Sequence, residues 1–209
     1  MLTLCWAAKG GSGTTVVVAA LGLSVEPPVL LVDLDGDLPS VYGLAEPSLP
    51  GAHDWVASDA APDRLIDLAI PVVPGVSVVC AGLARAPADA ERWRELGLAL
   101  AAHPATVVVD AGTGSPPAQL VGAADRSLLV TRACYLALRR AVALDAHPTG
   151  VVLIEEAGRA LRTRDVEAAI DAPVVATLAL DPAVARAVDA GLLAARLPRL
   201  IQRELRNAA

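Results

Sequence analysis

Residues Lys9-Gly10-Gly11-Ser12-Gly13-Thr14-Thr15 stand between an apolar run, Leu2 to Trp6, and a Val-rich run, Val16 to Leu23. The first run has the character of a short buried strand, and the second leads out as a helix. Strand, glycine-rich turn, helix is the layout of a phosphate-cradling loop. Its glycines let the backbone curl until successive N–H groups converge on an anion at a helix N-terminus. The segment therefore predicts an α/β fold whose first turn is an anion site.

Outward from the loop, other apolar runs end in chemistry. After Pro27-Pro28, Val29-Leu30-Leu31-Val32-Asp33-Leu34-Asp35 reads as a buried strand closed by two carboxylates two residues apart, hence on one side of the strand. A solvated turn with a helix N-cap would use the same residues. Thr106-Val107-Val108-Val109-Asp110-Ala111-Gly112 repeats the pattern, a β-branched strand, an Asp and then a glycine. Leu2–Trp6, Val29–Asp33 and Thr106–Asp110 are expected as neighbouring parallel strands, with loop and carboxylates at their C-terminal edge.

The remaining elements complete an alternation of strands and helices. Residues 62–69 suit a short helix, and Val72 to Cys80 a strand pair or one bulged strand around Pro74-Gly75. Ala88 to Ala102 has helical period with Trp93, Leu96 and Leu100 inward. Ser127–Thr131, Thr149–Ile154 and Val174–Leu178 read as strands, Tyr135–Leu144 and Asp165–Ile170 as helices. Asp181-Pro182 opens a further helix with an N-cap and a first-turn proline. Pro198 to Arg206 is amphipathic, with Leu197, Leu200, Ile201 and Leu205 on one stripe and Arg199, Arg203 and Arg206 opposite.

Composition agrees with this plan. The 209 residues are 55% hydrophobic yet only 2% aromatic, with no Phe. A core of Val, Leu, Ile and Ala suits parallel strands buried on both faces under Ala-rich helices, in one domain spanning 1–209. The net charge of −6 argues against sequence-independent DNA binding, which neutralises phosphates with cations. Cys5, Cys80 and Cys134 are odd in number, far apart and set in or beside apolar runs, so they are expected reduced and mostly buried in a cytoplasmic protein. No secretory leader or membrane span is expected, because the early apolar stretch stops well short of about 18 residues. His53, His103 and His147 have no matching nucleophile motif, and no metal cluster is legible.

K-G-G-S-G-x-T resembles the deviant Walker A loop of the ParA/MinD family of ATPases, and L-L-V-D-x-D and V-V-V-D-x-G follow in that family's order. The resemblance covers nearly the whole chain and implies a doubly wound, mostly parallel sheet of the P-loop NTPase type. It implies that Gly10, Gly11, Ser12, Gly13, Thr14 and Thr15 cradle a nucleotide, and that Lys9 reaches across a homodimer to the partner's nucleotide. Thr15, Asp33 and Asp110 would surround Mg²⁺, Asp35 would position the attacking water, and the Gly112 N–H would sense a γ-phosphate. Gly36-Asp37-Leu38-Pro39, with weaker likeness at Gly43-Leu44 and around Trp55, is similar to the TadZ/CpaE branch, which localises pilus machinery.

Three departures bear on function. The family's second loop lysine is Thr14 here, its adenine-reading Asn is Ile154, and its adenine-flanking Pro is Ala179. A threonine donates a hydrogen bond but brings no charge to the β- and γ-phosphates. Lys9 is the only lysine beside sixteen arginines, which suits either a site-specific need or a leftover. One reading is thus a positioning or scaffold protein with a degenerate nucleotide site that binds ATP and Mg²⁺ weakly and works through dimerisation and a localisation, pilus or partition partner. The alternative is a slow ATPase that relies on Lys9 in an ATP-sandwich dimer. A third is a dinucleotide-binding fold, since Gly11-x-Gly13 with Asp33 downstream mimics that fingerprint, although Val16 stands where the third glycine belongs. MinD relatives bind membranes through a C-terminal amphipathic helix, so 198–206 could place the protein at the inner membrane or simply cover the fold.

Overall fold

A computed structural model of the chain describes residues 1–45, 49–83, 89–144, 146–197 and 199–206, the last without the side chains of Arg199, Leu200 and Arg206. The strands are β1 (Leu2–Ala7), β2 (Val29–Asp33), β3 (Ala69–Val73), β4 (Val76–Val79), β5 (Thr106–Thr113), β6 (Arg126–Arg132), β7 (Gly150–Glu155) and β8 (Val174–Ala179). The helices are α1 (Thr14–Gly22), α2 (Leu38–Val41), α3 (Ala52–Val56), α4 (Asp63–Ile66), α5 (Ala90–Ala101), α6 (Ala118–Ala123), α7 (Tyr135–Ala143), α8 (Thr163–Ile170), α9 (Pro182–Asp189), α10 (Leu193–Arg196) and α11 (Arg199–Arg206). Ala88 and Pro198, expected at the starts of α5 and α11, lie outside the described residues.

One eight-stranded sheet runs in the order β3-β4-β2-β5-β1-β6-β7-β8. Every pairing is parallel except β3–β4, a hairpin that resolves the Val72–Cys80 ambiguity in favour of two strands. β1, β5 and β2 are neighbours, with Leu4 beside Val109 and Asp33 beside Asp110. The expected C-terminal edge is therefore present, with the loop and all three carboxylates on it. The order also answers the dinucleotide reading. β5 separates β1 from β2, whereas the dinucleotide fold places its second strand directly beside the first.

Alternate residues of each strand feed two hydrophobic layers, as a sheet covered on both faces requires. Leu31, Val108, Cys5, Val130, Val152 and Leu178 meet α1, α2, α10 and α11 on one face. Leu30, Val109 and Leu4 meet Trp55, Leu65, Leu96 and Leu100 on the other, where Leu129, Leu153 and Trp6 continue the layer under α7 and α8. Leu96 and Leu100 are fully buried and Trp93 partly so, as the period predicts. Cys5 and Cys80 are buried, while Cys134 caps α7 and is partly exposed.

α1 is apolar all round because it has no solvent face: the sheet lies on one side and α2, α10 and α11 on the other. Gly22 lets it approach β2, since a Cβ there would stand 2.7 Å from Leu31 Cδ2. Tyr42 donates to the Ala19 carbonyl at 2.7 Å and ties α2 to this helix. The α11 stripe faces inward, with Leu205 fully buried and Ile201 packed on the same core; the side chain of Leu200 lies outside the described residues.

Candidate functional site

The loop between β1 and α1 is built from its backbone. Gly13 has φ 89°, a left-handed conformation that side chains resist, and from it the α1 hydrogen bonds begin with Val17 N–H to Gly13 O at 2.9 Å. Ser12 Oγ donates to the Lys9 carbonyl at 2.7 Å and closes the turn. Residues 10–15 line a cavity of about 500 Å³, joined by Asp35, Asp37, Ser40, Thr113 and Asp189. Lys9 is not in that wall, and its Nζ donates to the Gly10 carbonyl at 3.3 Å in an exposed position. Among the described lining residues there is no cation, whereas three carboxylates face the cavity.

The carboxylates of β2 and β5 separate into different environments. β2 ends at Asp33, so strand alternation stops before Asp35: Asp33 is fully buried while Asp35 is exposed at the cavity. The expectation that the two share one side is thereby corrected. Asp33 accepts N–H bonds from Asp35 at 3.0 Å, Gly36 at 2.7 Å and Leu38 at 3.1 Å, which shapes the turn that carries Asp35. Desolvation outweighs these three bonds and leaves its carboxyl above the ordinary range.

Asp110 lies fully buried under the loop. Burial pushes its carboxyl up to about 7, against the lowering effects of the Thr15 hydroxyl beside it and the Gly112 N–H. That N–H donates to Asp110 Oδ1 at 3.0 Å, while Oδ2 has no hydrogen-bond partner. Gly112 has φ 66°, and a Cβ on it would stand 2.4 Å from Asp35 Oδ1. Only glycine fits between the two carboxylates. The residue expected to sense phosphate thus spends its N–H on Asp110 and holds Asp35 at contact distance.

A second cavity, about 260 Å³, shares the wall of Gly11, Ser12 and Gly13 with the first. Ile154 and Ala179 line it, together with Val17, Leu178, Val184, Leu197 and Ile201. Its wall is apolar apart from Arg132, Asp181, Asp189 and loop groups. Arg132, Asp37, Ser40 and Asp189 were not legible as site residues, because α2, α9 and the end of β6 reach the loop only through the tertiary fold. An Arg closing the apolar run Ser127–Thr131 was the one available signal.

The donor set suits Mg²⁺ and phosphate. An orphaned buried carboxylate oxygen beside a threonine hydroxyl, under a loop of backbone N–H groups, is a fit for a hydrated Mg²⁺ shared with a phosphate chain. Among the described residues no cluster of three or more acidic, His or Cys side chains could hold a metal by itself. Nor is any described helix long and apolar enough to cross a membrane.

No family model and no curated protein matches the sequence. Solved structures do match the fold. The septum site-determining protein MinD of Pyrococcus horikoshii, solved with Mg-ADP, superposes with TM-score 0.78 at 20% identity over 99% of this chain and 93% of its own. A ParA family ATPase from Chlorobium tepidum gives 0.78 at 18% over 98% and 96%. MinD in the MinC:MinD cell division complex of Aquifex aeolicus gives 0.78 at 17% over 99% and 95%. Across its whole length, therefore, the chain has the α/β fold of the MinD and ParA P-loop ATPases, with helices on both faces of an eight-stranded, mostly parallel sheet.

Proposed function

We propose that the protein is a ParA/MinD-like positioning or scaffold protein, of the TadZ/CpaE kind, whose degenerate site holds ATP and Mg²⁺ weakly and hydrolyses ATP at or near background. The observation that carries this reading is electrostatic: among the described residues, the phosphate-side cavity is lined by three carboxylates and no cation. With Thr14 in place of a loop lysine, the backbone N–H groups and the metal are left to offset a polyanion. A charge-assisted hydrogen bond contributes roughly 1.5–3 kcal/mol, so its loss weakens binding at least about ten- to a hundredfold.

In this reading Gly10 to Thr15 hold the phosphates, and Thr15 with Asp110 holds Mg²⁺, which when bound supplies charge neutralisation at the phosphate oxygens. Asp33 acts through the turn it shapes, a positioning role. Action then runs through a homodimer and a protein partner of a localisation, pilus or partition machinery. MinD of Aquifex aeolicus was solved in complex with the cell division protein MinC, which supports partner binding as the mode of action. The acidic balance speaks against DNA as the partner, and the inward stripe of α11 against a membrane anchor.

Calorimetric titration of ATP with Mg²⁺ tests the reading, with high-micromolar or weaker affinity and near-background turnover expected. The second reading, a slow ATPase, is favoured by Asp35 standing at the cavity and by the outward Lys9. Tight ATP binding, or steady hydrolysis abolished by Asp35→Ala, would establish it instead.

A further inference from the structure

Arg132 is the last residue of β6, at the edge of the sheet where the loop lies. Its Nε is sealed from solvent without a hydrogen-bond partner, and no described residue gives its guanidinium an ion pair or hydrogen bond. The residue is half-buried, so the outer N–H groups of the fork, without a partner among the described residues, stay open to an anion. Arg132 lines the 260 Å³ cavity together with Gly11, Ser12 and Gly13 of the loop; Val17, Ile154 and Leu178 give that wall its apolar part, and Asp181 and Asp189 are its carboxylates.

We propose that Arg132 is an anion-binding residue that replaces in charge the lysine missing at position 14. The two adjoining cavities then take one ligand, a phosphate or polyphosphate ester whose organic part is flat or apolar. The guanidinium fork matches phosphate oxygens in a way a threonine hydroxyl cannot. The apolar wall accepts the organic part by size and shape, since Val17, Ile154 and Leu178 offer no side-chain donor or acceptor to read a base edge. The inference rests on the weak-nucleotide-site reading and names a side chain that adds charge to what the backbone N–H groups and the metal supply.

The test is calorimetry on the full chain with Mg-ATP and, separately, inorganic tripolyphosphate, at low ionic strength. Arg132→Gln is expected to weaken both about tenfold, and Arg132→Lys, which keeps the charge but not the fork, to weaken them less. If Arg132 covers for position 14, Thr14→Lys gains more affinity in the Arg132→Gln background than in the unmodified chain. A folded Arg132→Gln protein that binds both ligands as the unmodified chain does overturns the proposal, as does an unmodified chain that binds neither. Should Arg132→Gln fail to fold, phenylglyoxal labelling of the unmodified protein supplies the readout. Tripolyphosphate is expected to protect Arg132, and unaltered labelling overturns the proposal. Tight, Asp35-dependent ATP turnover would sink the scaffold reading while leaving the Arg132 comparison readable.

Discussion

Thr14 and Asp110 occupy the same site and face opposite electrostatic problems. Thr14 is buried at the wall of the phosphate-side cavity, where the charge a polyanion needs is missing. Thr14→Lys is expected to raise ATP affinity about tenfold or more by calorimetry, provided the loop keeps its shape. Asp110 has the reverse difficulty, a carboxylate that burial keeps protonated to about pH 7. Its folded pKa is raised above the ordinary value of 3.8. The folded state therefore holds a proton that the unfolded chain gives up. That contribution to stability is intact below about pH 4 and is lost as pH rises toward 7. In metal-free buffer at pH 8, Asp110→Asn is expected to stabilise the protein by about 2 kcal/mol, seen as a rise of several degrees in Tm. The gain should shrink as the pH is lowered toward 4. A lower Tm for Asp110→Asn at pH 8 would contradict this account of the buried carboxylate.

Among the elements, α11 shows how one stripe serves two functional readings. Its Arg and Leu faces suit a membrane surface as well as a protein core. In the fold Leu205 is fully buried against the same layer as α1 and β8, and Leu197 and Ile201 border the apolar cavity. Leu205→Ala is expected to cost about 2–4 kcal/mol in urea unfolding, the usual range for a buried leucine. Flotation of the full chain with anionic vesicles should be weak. Strong flotation abolished by Leu205→Glu would instead require α11 to leave the core. α1 makes the complementary point, since its lack of a polar face is explained once α2, α10 and α11 are seen to cover it.

At the scale of the whole molecule, the outward Lys9 matters beyond its own chain. Its Nζ donates to the neighbouring Gly10 carbonyl, and the residue stands outside the cavity wall. If it serves a partner's nucleotide, Lys9→Ala should reduce dimer formed with Mg-ATP, by sedimentation, while leaving Tm within about 1 °C because its hydrogen bond to the Gly10 carbonyl is exposed. Equal dimer in both proteins would remove Lys9 from the interface. The sequence by itself determined the strand–loop–helix entry, the carboxylates closing β2 and β5, and the alternation of elements. These follow from local rules, namely glycine conformational freedom, apolar period and caps, which need no distant partner. The tertiary structure alone decided what surrounds the loop. Strand alternation placed Asp33 and Asp35 together, but the chain turns at the end of β2 and sends one inward and the other to the cavity. Arg132 comes to the loop because β6 pairs beside β1, and Asp189 because α9 packs against α2. Pairing of that kind is set by strand order and packing across the sheet, which no local stretch of sequence encodes.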